Sequence, residues 1–389
     1  MSEKNAAPAR NSLLPVGEPA PWFSAPSTNN PKFHFDTAAG RYIVLSFFET
    51  AARPDSQQIL ADILRQRSAI DDTEVSFFGI STDPLDQQEQ RVKEHIPGIR
   101  FFWDFDKSIS RMFGAVRTDR QTGATSYVPH TLLLDERLRV LAVLTFDNPA
   151  THVDRLLALI RSQPPMGQFS VGQVQAPVLI VPRIFEPEFC RKLIDLYEQK
   201  GGTESGFMRE VDGKTVGMYD YAHKRRQDYE IEDEAIRKAC MIRIHDRLVP
   251  EIEKAYQFKA TRMERYIVAC YDAAQGAHFR AHRDNTTAGT AHRKFAVSLV
   301  LNTGEFEGGY VWFPEFGRKL FSPPAGGAVV FSCSLLHEAT AITQGKRYVF
   351  LPFLYDDAAA RIREQNLKFV GGTANTPTDA DEGRKPPSA

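Results

Sequence analysis

Cysteine is scarce in this sequence: 389 residues contain four, none stands before Cys190, and no two form a C-x-x-C pair. That spacing excludes a disulfide framework, fits reduced and buried thiols, and removes thiol chemistry from the whole first half. Neither sign of charge prevails. The 48 Lys and Arg against 49 Asp and Glu leave a net charge of −1, so nothing global draws the chain to nucleic acid or an anionic membrane. Long apolar runs are missing too: no stretch approaches the ~18 residues of a membrane span. The opening MSEKNAAPARNSLLPVGEPAPWF lacks the basic-then-apolar order of a secretory leader. A cytoplasmic protein is expected, with no nucleic-acid or membrane partner. What the chain does have is apolar mass, 42% hydrophobic residues and 27 Phe, enough to bury a core without staples. At roughly 150 residues per domain, two or three domains are expected.

The first half alternates apolar runs with helical patterns. RYIVLSFFE (41–49) and EVSFFGIST (74–82) read as buried strands, SQQILADILRQRSAI (56–70) as an amphipathic helix between them, and DPLDQQEQRVKEH as a further helix. TLLLDERLRVLAVL reads as a hairpin turned at Asp135–Arg137. The Pro, Gly and Gln of 163–177 mark a linker. Beyond it, PVLIVPRIFEPEFCRKLIDLYEQKGG and IEDEAIRKACMIRIHDRLVPEIEKAY supply helices, the second broken near Pro250, and then short strands follow between Gly-, Pro- and Asp-rich turns. The residues from 368 to 389 are poor in apolar side chains and read as a disordered tail.

The blocks VGEPAPWFSAPS, RYIVLSFFET, VSFFGISTD, FFWDFDKSISRMFGAV and YVPHTLLLDERLRVL, in that order, resemble a peroxiredoxin or redoxin domain over residues 14–162. The resemblance implies an α/β thioredoxin fold and a cis Val128–Pro129 bond facing the active centre. At that centre the sequence departs from the family. Where the family has T-x-x-C, this chain has Thr50-Ala51-Ala52-Arg53, and a guanidinium cannot replace a thiolate nucleophile. The domain is therefore expected to be non-peroxidatic, serving protein contact or homo-oligomer formation. Arg53 itself reads either as a surface arginine or as part of a vestigial anion pocket.

In HFRAHRDN, His282 and Asp284 stand two apart, which on a strand turns both to one face. SLLHEATAITQGKRYVF adds His337 and, ten residues on, Arg347. Two imidazoles and a carboxylate form the facial triad of non-haem Fe(II) oxygenases, with positions open for a bidentate 2-oxo acid and dioxygen. Singly, His337 reads as a core histidine, Arg347 as an ion-pair partner and Tyr271 as a packed aromatic. VACYDAAQGAHFRAHRDN, FEGGYVWFPEFG and HEATAITQGKRY together resemble the prolyl hydroxylase branch of the 2-oxoglutarate oxygenases, over residues 178–357. The resemblance implies an α+β domain with a double-stranded β-helix (jelly-roll) core. It makes His282, Asp284 and His337 the iron ligands, and Arg347 with Tyr271 the binders of 2-oxoglutarate. Fe(II), 2-oxoglutarate and O2 are the implied cofactor and co-substrates, with ascorbate a candidate reductant. A prolyl or related residue of a protein or peptide is the implied substrate, with succinate and CO2 released. Asn285 is a candidate for orienting the ligands, and His278 and His292 read as surface or substrate-side residues. NTTAGTAHRKF (285–295) is a candidate lid. The alternative left open is a non-catalytic interaction module joining an inactive redoxin domain to a vestigial oxygenase.

Overall fold

The structure is a computed structural model that describes residues 10–119, 121–169 and 172–373. Two compact units emerge, one running to Gln175 and including Pro314–Arg318, the other formed by Ala176–Phe313 and the residues from Lys319.

Among the described residues the first unit holds a five-stranded sheet in the order Ile99–Trp103, Val75–Ser81, Tyr42–Glu49, His130–Leu134, Val140–Thr145. The first three strands run parallel and the last two antiparallel to their neighbours. Strands that read as unbroken apolar runs need cover on both faces, and they have it. On one face Val44 and Phe48 share a core with Ile59 and Ile63 of the helix Pro54–Arg65 and Leu156 of Pro149–Arg161. On the other, Phe78 stacks on Phe102 at 5.4 Å and Phe47 tilts against Phe113 at 5.1 Å.

Three expectations need correction. The helix over DPLDQQEQRVKEH shrinks to Pro84–Gln88: Asp83 caps its start, and left-handed Gln90 (φ 51°) stops it. Among the described residues the cis peptide is Ile96–Pro97; Val128–Pro129 is trans. Val128 instead donates its N–H to Ala115 O (2.8 Å) as the chain runs extended into the strand at His130. The tail expected from residue 368 is ordered at its beginning, because Val370–Thr373 pairs in parallel with Lys214–Met218. Residues 374–389 of that tail lie outside the described residues.

His130 and His152 lie wholly inside the first unit. Burial, the largest influence, pushes both imidazoles down to about 4 from 6.5. The unfolded chain takes up protons below 6.5 that the folded imidazoles refuse until about 4. The stability they contribute is therefore complete above 6.5 and lost progressively as pH falls toward 4. A loss of about 2 kcal/mol per imidazole is expected by about pH 5. Thermal melts at neutral and acid pH check this: His130→Leu should flatten the acid slope, and an unchanged slope would contradict it.

In the second unit the helices Pro187–Lys200, Glu234–Arg247 and Val249–Tyr256 pack on a ten-stranded sheet. Pro250 falls in the first turn of the third helix, where its missing N–H costs nothing, so the chain restarts there. A five-stranded sheet, in the order Lys224–Arg225, His278–His282, His337–Ala339, Val311–Trp312, Leu320–Phe321, supplies the other wall of the site. Pairing within both sheets is antiparallel.

Candidate metal centre

Sheet pairing assembles the site. His282 ends one strand of the smaller sheet and lies opposite His337 in register, while Asp284, two residues on, is fixed by its N–H donating to Cys333 O at 3.0 Å. The three ligand atoms lie within 4.8 Å of one another. His282 Nε2 is 3.6 Å from Asp284 Oδ1, and His337 Nε2 is 3.4 Å from Oδ2. The Nδ1 of His282 faces Arg280 O at 2.7 Å and that of His337 faces Leu335 O at 3.0 Å. A carbonyl only accepts, so each Nδ1 carries a proton, and Nε2 is the ring atom each histidine turns toward Asp284. Burial pushes the His337 imidazole down to about 4, leaving it neutral at pH 7. Burial also works to raise the Asp284 carboxyl, but His337 and His282 outweigh it and hold the group well below the usual carboxylate range. Two imidazoles that present Nε2 beside an ionised carboxylate are a donor set that fits Fe(II).

The larger sheet supplies the opposite wall. Tyr271 and Arg347 are cross-strand partners, each 3% exposed, and the guanidinium lies over the Tyr271 ring at 5.2 Å. Arg347 donates to Ser298 Oγ at 2.8 Å. No carboxylate of the described residues offsets its charge, and burial pulls its pKa down to about 10. Gly308 and Gly309 both have positive φ, and a Cβ on Gly309 would come within 2.9 Å of Arg347 Cδ. The Gly-Gly turn thus leaves room for the arginine stem. His282, Asp284, His337, Arg347 and Tyr271 all line one cavity.

Several members of that cavity were not singled out, among them Arg226, Arg265 and Phe279. Phe279 stacks on the His282 ring at 3.5 Å. Arg226 is buried, chelates Asp228 (2.7 and 2.6 Å) and donates to the Tyr271 hydroxyl at 3.3 Å. Strand alternation would have placed residues 226 and 228 on one face, but a basic run such as Lys224-Arg225-Arg226 reads as solvated.

Other expectations change. His278 is buried and bonded to Gly276 O at 2.9 Å, and His292 is buried against Glu264 at 2.9 Å, so neither is a surface residue. Neither lines the cavity that holds the triad. Asn285 donates to Ser334 Oγ at 2.8 Å. The candidate lid is tied down: Thr287 and Thr290 cap each other, Gly289 N–H donates to Thr215 Oγ1 at 2.8 Å, and Asn366 donates to Ala288 O at 2.8 Å. In the first unit Arg53 is bidentate to Asp55 (3.0 and 2.7 Å) and reaches Glu49 at 3.2 Å. Its charge is spent on carboxylates, which leaves no anion pocket.

Residues 16–143 match the AhpC/TSA family, and residues 266–355, which contain the triad, Tyr271 and Arg347, match the 2OG-Fe(II) oxygenase superfamily. The chain carries an AhpC/TSA domain and a 2OG-Fe(II) oxygenase domain. A procollagen lysyl hydroxylase and glycosyltransferase of Acanthamoeba polyphaga mimivirus is 24% identical over 179 residues, 44% of this chain and 18% of that protein. The chain therefore spans less than a fifth of that relative's length. Similar solved structures include a bacterioferritin comigratory protein of Xanthomonas campestris (17% identical, 36% of this chain, 90% of that one, TM-score 0.31). Another is peroxidoxin BcpB of Mycobacterium tuberculosis (21% identical, 38% of this chain, 97% of that one, TM-score 0.33).

The AhpC/TSA domain has no cysteine, and the four cysteines of the oxygenase unit are buried. Burial raises their thiols, Cys190 to about 11 and Cys240 and Cys270 to about 12, so none supplies a thiolate at neutral pH. No thiol-dependent peroxide consumption is expected from the purified protein; robust consumption with dithiothreitol would contradict this.

Proposed function

We propose that this protein is an Fe(II)- and 2-oxoglutarate-dependent hydroxylase acting on a C–H bond of a prolyl or related residue in a protein or peptide. Its two facing sheets are read as a double-stranded β-helix. The observation that carries the reading is the convergent His282–Asp284–His337 set sharing a cavity with Arg347, a buried cation that no carboxylate of the described residues pairs. Iron, when bound, supplies the activation of O2 that couples decarboxylation of 2-oxoglutarate to hydroxylation.

Each protein group then has a task. His282, Asp284 and His337 hold the metal from one side, their Nδ1 protons anchored on backbone carbonyls so that both rings stay aimed. Arg347 offers a planar pair of donors to the distal carboxylate of 2-oxoglutarate, and Ser298 fixes the guanidinium. Tyr271 can donate its hydroxyl to that same carboxylate while accepting from Arg226. Phe279, Phe331 and Phe353 keep the walls apolar and water out.

A lysyl side chain is the second reading, favoured by the name of the mimivirus relative. The AhpC/TSA domain, without a thiol, is assigned to client contact or self-association. Mass spectrometry of a peptide library incubated with enzyme, Fe(II), 2-oxoglutarate and ascorbate tests the reading. A gain of one oxygen on Pro or Lys, matched by succinate, is expected. Succinate formation that no protein or peptide stimulates would overturn the substrate class.

A further inference from the structure

The cavity contains a cation that the metal and 2-oxoglutarate leave unused. Arg265 lines it beside the triad and stacks on Phe353 at 5.2 Å. Its backbone is left-handed (φ 65°), a conformation that a long side chain keeps only where its surroundings enforce it. The ion pair it makes is long and single, Nη2 to Asp228 Oδ2 at 3.5 Å. That oxygen is already held at 2.6 Å by both Arg226 Nη2 and Ser205 Oγ, and Arg226 Nε takes the other Asp228 oxygen at 2.7 Å. Glu264, next in the chain, is committed to Arg293 at 2.7 Å and His292 at 2.9 Å. Asp284 belongs to the triad. Those three carboxylates are therefore engaged elsewhere, Glu338 lines the same cavity without forming an ion pair with Arg265 among the described residues, and Arg347 is matched by the co-substrate. Arg265 is left partly buried, with most of its charge unanswered, among apolar walls that strengthen any ionic contact.

We propose that Arg265 is a specificity-determining residue that binds a carboxylate of the substrate, carried by an Asp or Glu side chain flanking the hydroxylated residue. This rests on the Fe(II)/2-oxoglutarate reading of the same cavity. Arg265 has five N–H donors in a planar fork and one weak pair, so it can take a carboxylate bidentately without losing a strong bond.

The test uses the full chain under anaerobic conditions with Fe(II) and 2-oxoglutarate. The visible charge-transfer band reports assembly of the site, and fluorescence anisotropy reports binding of labelled peptides. The peptides centre on Pro or Lys, carry Asp or Glu against Asn or Gln at each flanking position, and have free or amidated C-termini. Acidic peptides are expected to bind at least about tenfold tighter than their amide counterparts. The preference should shrink to within about twofold in Arg265→Gln, return in Arg265→Lys, and turn toward Lys-bearing peptides in Arg265→Glu. Equal binding of acidic and amide peptides with the band present would overturn the proposal and leave the cofactor reading standing. So would an acidic preference that survives in Arg265→Glu, or one that follows only the free C-terminus. Absence of the band in the wild-type protein would overturn the cofactor reading itself, and this proposal with it.

Discussion

Replacing Asp284 by alanine is expected to abolish 2-oxoglutarate turnover, with succinate release falling more than about a hundredfold, since losing even an outer partner of a metal ligand costs about 10–100-fold. Asp284 is the one anion of the triad. It stands 3.6 and 3.4 Å from the two Nε2 atoms, so without it two imidazoles must hold a dication alone. His282→Ala should behave alike, because its ring sits in register with His337 and cannot be replaced from a neighbouring position. Loss of bound iron, measured by metal analysis after gel filtration, should accompany the loss of turnover. Either variant turning over at the wild-type rate would remove the triad from the account.

Arg347→Met should separate stability from function. In the ligand-free protein Arg347 is a buried cation with a hydroxyl but, among the described residues, no carboxylate partner, an arrangement that costs desolvation energy. A methionine fills similar space without the charge. The thermal midpoint of the ligand-free variant is expected to equal or exceed that of the wild type, while the KM for 2-oxoglutarate rises by about a hundredfold, as for truncating one partner of a buried ion pair. Added 2-oxoglutarate with a divalent metal should raise the midpoint of the wild type and leave the variant unmoved. A variant that loses stability yet keeps its KM would make Arg347 structural.

The parts of this molecule that read directly from the sequence are those whose signal is local. Tyr42–Glu49 and Val75–Ser81 are continuous apolar runs, and such runs mark strands covered on both faces. His282 and Asp284 stand two apart on an extended segment, and His337 and Arg347 follow at a recognisable distance. What did not read is what depends on partners distant in sequence. Buried His278 is met by Ala222 O and buried His292 by Glu264, 56 and 28 residues away. Arg226 and Arg265 read as solvated basic residues, yet both line the cavity, next to the strands Gln227–Glu230 and Ile267–Asp272 that pair with each other. The cis bond fell at Pro97 rather than Pro129, since nothing local distinguishes one X-Pro step from the other.

The most direct test of the central claim is an anaerobic titration of the metal-free protein with Fe(II) and then 2-oxoglutarate, followed by visible absorption. A weak charge-transfer band is expected that appears only when both are present, saturates at one iron per chain, and is absent from Asp284→Ala. Well-folded wild-type protein that binds both without the band, or a band that persists in Asp284→Ala, would contradict it.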